Sequence, residues 1–200
     1  MSVAPNPVGR RERNKQAKLD RITAAASKLF AEHGVDEVTT QQIADEADIG
    51  TGTLFLYAKT KGELLLMVQN SSYSDALVRG RAAAEKAADP LGAVMAIVEP
   101  VVECNRVQVL NGRTYLREIV FGDPEEPHHR IALDLTMQTE AAMAQAVQRT
   151  AGSAAADART VAHIVSAIMF VSMASAANAD RSVDDVVAEI REQVRVLLGR

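Results

Sequence analysis

The chain has no tryptophan, a single cysteine and six prolines, and aromatic residues fill only 4% of its 200 positions. Each shortage removes a class of protein. A lone thiol, Cys104, excludes a disulfide framework and a multi-cysteine zinc site. Scarce aromatics and prolines beside long alanine-rich stretches turn the expectation from sheets to helices. No run approaches the ~18 consecutive apolar residues of a membrane span. The opening MSVAPNPVGRRERNKQ carries basic residues with no apolar run behind them, unlike a secretory signal. The expectation is a soluble, cytoplasmic chain with no membrane partner and no cofactor.

What is present is apolar aliphatic surface, 48% of the residues counted with alanine and the few aromatics, enough for a core in two modest domains. The net charge of −4 would speak against a nucleic-acid partner, but its distribution matters more than its sum. Arg10, Arg11, Arg13, Lys15, Lys18, Arg21 and Lys28 crowd the start of the chain, while the acidic residues lie mainly after position 60. A basic arm over residues 1–17, expected to be flexible, therefore sits on an acidic body.

Helical spacing of Ile22, Ala26, Leu29, Phe30 and His33 predicts a first helix that Gly34 stops. Thr39 followed three residues later by Gln42 reads as a capping box, and Ile43, Ala44 and Ala47 form the inward face of a short second helix. Asp48-Ile49-Gly50 breaks it, since Asp and Gly tolerate a left-handed turn. A third helix is expected over Thr51–Tyr57 with Leu54 as its anchor, and a long helix begins near Glu63 and runs to about Ala87. Further helices are expected from Asp89-Pro90 (with Pro100 as a kink), after Asn111-Gly112 to Phe121, and at about 130–150, 157–178 and 182–198. Residues 122–129 (GDPEEPHH) are read as a loop. The fold class is all-α: nine helices, an N-terminal three-helix bundle with a helix-turn-helix, and a larger helical C-terminal domain for effector binding and dimerisation. The domains are residues 18–62, with the helix-turn-helix at about 40–58, and residues 63–200.

Two short helices joined by a three-residue turn and packed on a longer one are how a helix-turn-helix reads in sequence. Ala44 and Ala47 are small where the helices cross, Ile49 and Leu54 fill the wedge, and Gly52 keeps the start of the recognition helix slim. The run TTQQIADEADIGTGTLFLYAKTKGELL resembles the signature of the TetR family: Ile43-Ala44, Gly52-Thr53-Leu54-Phe55, Tyr57, Lys61 and Leu64-Leu65, with Leu29-Phe30 and Gly34 upstream. The resemblance spans roughly residues 18–66. Asp48, Gly50 and Ala58 depart from the usual Gly, Ser and Phe. Without the aromatic at Ala58, Phe55 and Tyr57 are expected to pack more of the core.

The resemblance implies a sequence-specific transcriptional regulator that binds a palindromic double-stranded operator as a homodimer, by default a repressor released by a small, largely apolar effector. Thr39 would cap its helix and reach a phosphate, and Gln41 and Gln42 would lie by the backbone or groove edge. Thr51, Thr53 and Leu56 would face bases beside Gly52, and Tyr57, Lys59 and Lys61 would clamp phosphates. Met95, Ile97, Val101, Cys104, Tyr115, Ile119, Met137, Met143 and Met169 would line the effector pocket, although apolar residues at such spacing also read as plain core. Val183, Val187, Ile190, Val194 and Leu197 alternate steps of four and three, a helix–helix seam. With Val161, Ile164, Ile168 and Val171 of the preceding helix, they would form a four-helix bundle between dimer mates. The long helix after residue 63 would be the lever between domains.

Two other readings stay beside this one. An enzyme is disfavoured because Cys104 has no recognisable base partner and no phosphate-cradling loop or HExxH motif occurs. His128-His129 near Asp123, Glu125 and Glu126 reads as a solvated acidic loop rather than a metal site, so no metal ligand or catalytic residue is expected. The third reading is a helix-turn-helix protein with no effector, its C-terminal domain serving dimerisation or a protein partner alone.

Overall fold

The computed structural model describes residues 9–152 and 154–199. Among these there are nine α-helices, one 3-10 turn and no strand. The chain divides into two compact units, residues 1–65 and 66–200, the division falling within the fourth helix.

The first unit holds α1 (Arg10–His33), α2 (Thr40–Glu46) and α3 (Thr51–Leu54). Helix α1 begins at Arg10, so residues 10–17 of the expected flexible arm are helical; residues 1–8 lie outside the described residues. Arg, Glu, Lys, Gln and Ala are all good helix formers, and together they extend the helix ahead of its buried part. Gly34 ends it at φ 82, a left-handed value that costs a glycine nothing, with its N–H returning to the Phe30 carbonyl at 3.0 Å. Ile22, Ala26 and Phe30 on α1, Val35 and Val38 of the following loop, Ile43 and Ala44 of α2, and Leu54 of α3 are all buried, where α1 packs on α2 and α2 on α3.

The second unit holds the rest of α4 (Lys61–Ala84), then α5 (Pro90–Arg106), α6 (Val109–Phe121), α7 (Pro127–Ala151), α8 (Ala155–Ala174), the 3-10 turn Ala176–Asn178 and α9 (Val183–Leu197). Asp89 caps α5 by accepting the Gly92 N–H at 2.9 Å, with Pro90 in the first turn where its missing N–H costs nothing. Arg149 of α7 donates to the Ala84 and Ala87 carbonyls at 2.6 and 3.1 Å, satisfying the end of α4. Val94, Ile97, Val98, Val102, Met143, Val147, Val165 and Ile190 form the centre of the core, which α5, α7, α8 and α9 share.

Several boundaries differ from the sequence reading. Asn111 and Gly112 do not separate helices; both are buried in the first turn of α6, and the break falls at 107–108. The reason is steric: a Cβ at Gly112 would stand 2.0 Å from the Asn105 carbonyl oxygen, so this glycine marks a close approach of α5 and α6 and not a turn. The loop after α6 ends at Glu126, whose carboxylate accepts the N–H groups of His128 and His129 and starts α7 three residues early. Helix α8 stops at Ala174, the 3-10 turn taking the remainder, and α4 stops at Ala84. By length and composition alone, residues 156–174 could cross a bilayer, with a mean hydropathy of 1.2. Helix α8 instead packs against α5, α6, α7 and α9.

Candidate nucleic-acid interface

The frame of the helix-turn-helix is built from hydrogen bonds the chain makes with itself. The Thr39 hydroxyl accepts the Gln42 N–H at 3.2 Å and the Gln42 side-chain oxygen accepts the Thr39 N–H at 2.8 Å, the reciprocal cap that starts α2. Asp48 takes φ 52 in the turn, the only non-glycine residue with positive φ among the described residues. Arg21 of α1 donates at 3.4 Å to both the carbonyl and the carboxylate of Asp48, so the turn that departs from glycine is also tied to α1. Lys28 pairs with Glu46 at 2.8 Å, and that carboxylate raises the lysine's pKa. Ala44 and Ala47 are buried where α2 meets its neighbours, and Ile49 is half-buried beside them.

Helix α3 is shorter than the expected Thr51–Tyr57. After Leu54 the backbone tightens to i→i+3 bonds, Leu56 N–H to the Thr53 carbonyl at 3.1 Å and Tyr57 N–H to that of Leu54 at 2.9 Å. Gly and Thr are weak helix formers, which accounts for the early end. Leu54 is fully buried, as expected of the anchor. Phe55 is not core: it is 45% exposed, and the small Ala58 is buried instead. The core closes over a methyl at position 58, so the missing aromatic is not replaced by Phe55.

The predicted DNA-facing residues fall into two groups. Thr51, Gly52, Thr53 and Leu56 lie on α3 and the turn after it, with Leu56 83% exposed. Thr51 donates to the Gln41 side-chain oxygen at 2.7 Å and Gln41 donates to Asp45 at 2.7 Å, a chain of side chains that links α2 to the start of α3. Apart from its chain neighbours and the backbone of its own helix, no atom of the described residues lies within 4 Å of where a Cβ on Gly52 would project. Lys59 is exposed. The second group is structural as well as, or instead of, ligand-facing. Gln42 is engaged in the cap, the Tyr57 hydroxyl donates to the Lys15 carbonyl at 3.4 Å, and Lys61 donates at 3.0 Å to both the Val35 and Asp36 carbonyls. From sequence, Lys61 reads as a phosphate contact or as part of an exposed charged turn, and neither reading includes these bonds. The loop carbonyls it serves carry no sequence signal, because they are backbone.

In the second unit, α4 to α8 enclose a cavity with a free volume of about 60 Å³. Val101, Cys104, Tyr115, Ile119 and Met169 line it, as expected, joined by Gln69, Tyr73, Asn105, Leu116, Thr136, Thr139, Ser166, Phe170 and Met173. Met95, Ile97 and Met143 do not; each is almost wholly buried in the core, and Met137 points outward at 62% exposure. Met137 and Met143 stand six residues apart on α7, about 1.7 turns, so one faces inward and the other away, a phase that spacing alone leaves undecided. Polar groups around the cavity partner one another: the Tyr115 hydroxyl donates to Asn70 at 2.8 Å, Asn70 to the His128 carbonyl at 2.8 Å, and Tyr73 bonds Thr139 at 2.9 Å. Burial pushes the Tyr73 phenol up to about 12 and the Cys104 thiol up to about 11.

The expected seam is only partly available. Ile190 and Val194 are fully buried, together with Val186, because the inward stripe of α9 steps by four. They pack within their own unit and do not belong to a dimer face. Val183, Val187 and Leu197 are half-buried, as are Val161 and Ile168 of α8. Ile164 and Val171 are 39% and 66% exposed, and line a groove with Ala167, Ala177, Glu189 and Gln193.

A capped helix, a left-handed turn and a short exposed second helix on a three-helix core define a helix-turn-helix DNA-binding fold. Residues 22–68 match the family model of bacterial regulatory proteins of the tetR family. An HTH-type transcriptional regulator of Haemophilus influenzae is 39% identical over 54 residues, 26% of this chain and 29% of the relative. One from Staphylococcus aureus is 44% identical over 48 residues, 24% and 26% of the two chains. The chain thus spans under a third of the length of these curated relatives. The whole fold is shared with a TetR transcriptional regulator from Rhodococcus sp. RHA1 (TM-score 0.66, 18% identity, covering 94% of this chain and 98% of that one). It is shared also with Thermus thermophilus FadR, a TetR-family repressor solved with lauroyl-CoA (TM-score 0.69, 20% identity, 90% and 92%).

Proposed function

We propose that this protein is a sequence-specific DNA-binding transcriptional regulator, a repressor that works as a homodimer on a palindromic operator and leaves it when a small apolar effector binds. The observation that carries the reading is the reading head itself. Thr51, Thr53 and Leu56 stand on a slim, partly exposed helix whose frame is fixed by the Thr39 cap and the Asp48 turn. Hydroxyls suit several base edges and Leu56 suits a thymine methyl. With no Arg, Asn or Gln on that helix, bidentate base reading is absent, each half-site binds modestly, and two recognition helices are needed. The outward Ile164 and Val171 of α8, beside half-buried Val161, Ile168, Val183, Val187 and Leu197, support dimerisation through α8 and α9.

The cavity of the second unit supports the effector. In the population-shift scheme the ligand favours a dimer whose recognition helices no longer match the half-site spacing, with α4 as the lever; a coupling of roughly 1–3 kcal/mol changes DNA affinity about 5–150-fold. That the FadR relative is a repressor solved with an acyl-CoA supports ligand-responsive repression here. The smallness of the cavity favours a second reading, in which the second unit only dimerises. The test is an anisotropy titration against the DNA flanking this protein's own gene, with Thr53→Ala and Lys59→Ala beside wild type. Saturable, salt-sensitive binding to a palindrome, weakened by both changes, is expected. Failure to bind any sequence in a random-sequence selection overturns the reading.

A further inference from the structure

The effector reading says nothing about which molecules the cavity admits; its walls do. None of the fourteen residues lining it is Asp, Glu, Lys, Arg or His. The charges felt at its walls are of both signs and none of them lines it: Arg79 lowers and Glu103 raises the pKa of Cys104, and Glu140 raises that of Tyr73. The hydroxyls of Tyr73 and Tyr115 are already held by Thr139 and Asn70. No cation stands ready for a carboxylate or phosphate, and no anion for an amine. A charged ligand would lose its hydration without gaining a partner.

Size gives a second bound. The void of about 60 Å³ is less than half of the ~150 Å³ apolar cavity that admits a benzene ring. A ligand must therefore displace side chains, and the movable ones are Met169 and Met173, whose unbranched thioethers repack at small cost. The aromatic part of the lining is stiff: Tyr73 and Tyr115 meet edge-to-face, with centroids 6.5 Å apart at 71°. A compact group that the methionines can wrap and the tyrosine pair can face fits this space, whereas a long acyl chain does not.

We infer that the cavity between α4, α5, α6, α7 and α8 takes an uncharged, compact, ring-bearing apolar molecule and rejects anions, cations and long chains. This rests on the second unit being an effector domain, and the two ideas fail differently. The chain's three tyrosines and absent tryptophan make tyrosine emission the natural reporter, since two of the three stand at this cavity. The experiment follows emission and melting temperature of the whole protein with benzyl alcohol, benzoate, benzylammonium and dodecan-1-ol, and repeats the DNA titration with each.

Benzyl alcohol is expected to change the emission and raise the melting temperature. Benzoate and benzylammonium, of matching size, bind about 100-fold more weakly or not at all, and dodecan-1-ol does not bind. Ser166→Leu, at a half-buried lining position, abolishes the response to benzyl alcohol, while Leu116→Ala strengthens it about tenfold by enlarging the void towards ring size. Should Leu116→Ala not fold, the wild-type panel decides alone. Either charged probe binding as well as the alcohol, dodecan-1-ol binding better, or no probe binding to its solubility limit overturns the inference. Benzyl alcohol binding that leaves DNA affinity unchanged supports the ligand class and removes the effector reading.

Discussion

Lys61 and Lys59 stand two residues apart, and the structure predicts opposite consequences for removing them. The Lys61 ammonium makes two hydrogen bonds of 3.0 Å to the Val35 and Asp36 carbonyls, tying the start of α4 to the loop that follows α1. Hydrogen bonds to a charged group contribute about 1.5–3 kcal/mol each when well protected. This site is half-exposed, so about 2 kcal/mol for the pair is the reasonable expectation. Lys61→Met keeps the stem and removes the charge, so it lowers stability by about that amount, a fall of several degrees in melting temperature. Lys59 is exposed and only its backbone N–H is engaged, by Glu63 at 2.6 Å. Lys59→Ala leaves stability within about 0.5 kcal/mol. On DNA the order reverses. Losing a phosphate contact lowers the slope of log K against log salt by about 0.9 per contact, once in each half-site. Lys59→Ala shows that loss, whereas Lys61→Met weakens binding through the fold and keeps the wild-type slope. Urea unfolding by circular dichroism and anisotropy titrations between low and moderate salt measure both quantities. An unchanged urea midpoint with a reduced salt slope for Lys61→Met would refute the structural role.

Three further outcomes are expected. Thr39→Ala removes one half of the reciprocal cap and costs about 1 kcal/mol in urea unfolding, with DNA affinity falling in step. Gly112→Ala drives a methyl against the Asn105 carbonyl and costs about 3 kcal/mol or more, while Gly52→Ala, which meets nothing, does not destabilise the protein. The raised pKa values of Cys104 and Tyr73 favour the neutral forms in the folded chain. Their contribution to stability is full below pH 9 and is lost as pH climbs towards about 11 for the thiol and about 12 for the phenol. The urea midpoint therefore holds to pH 9 and then declines. At pH 8 iodoacetamide alkylates Cys104 about 100-fold more slowly than an unshifted thiol, following the two-unit rise from 9.0 to about 11.

Local signals were legible and directional ones were not. Thr39 with Gln42, Gly34 and Asp89-Pro90 each place a helix end by satisfying specific backbone groups, and all three behave as read. Leu54 is buried while Phe55 and Leu56, its neighbours in the same expected helix, are exposed, so an apolar side chain alone does not mark the anchor. Gly112 misled because glycine permits both a turn and a tight crossing, and only the nearby Asn105 carbonyl distinguishes them. At Phe55 hydrophobicity does not mean burial, because Ala58 closes that part of the core. The α9 seam was drawn in steps of four and three, while the buried face steps from Val186 to Ile190 to Val194. Choosing between these needs the phase of the helix, which depends on what α5 offers opposite. Five of the nine expected cavity residues line it for the same reason: composition supplies the candidates and rotation selects among them.

The surroundings of Gly50 and Gly52 bear on how such a regulator changes its target. A Cβ added at either position meets no atom of the described residues within 4 Å beyond its chain neighbours and its own helix, and Gly50 and Gly52 have ordinary negative φ. Leu56, two positions past α3, is nearly as unencumbered. The structural duties are carried elsewhere, by Thr39, Asp48, Leu54 and Lys61. Mutational drift at these three positions therefore has little effect on folding, and under the proposed function it falls on the DNA-facing surface; replacing Gly52 even recovers part of the ~0.5–1 kcal/mol a helical glycine forgoes. On that proposal, duplicated copies of this gene diverge in target sequence by single steps without first acquiring a compensating change in the scaffold.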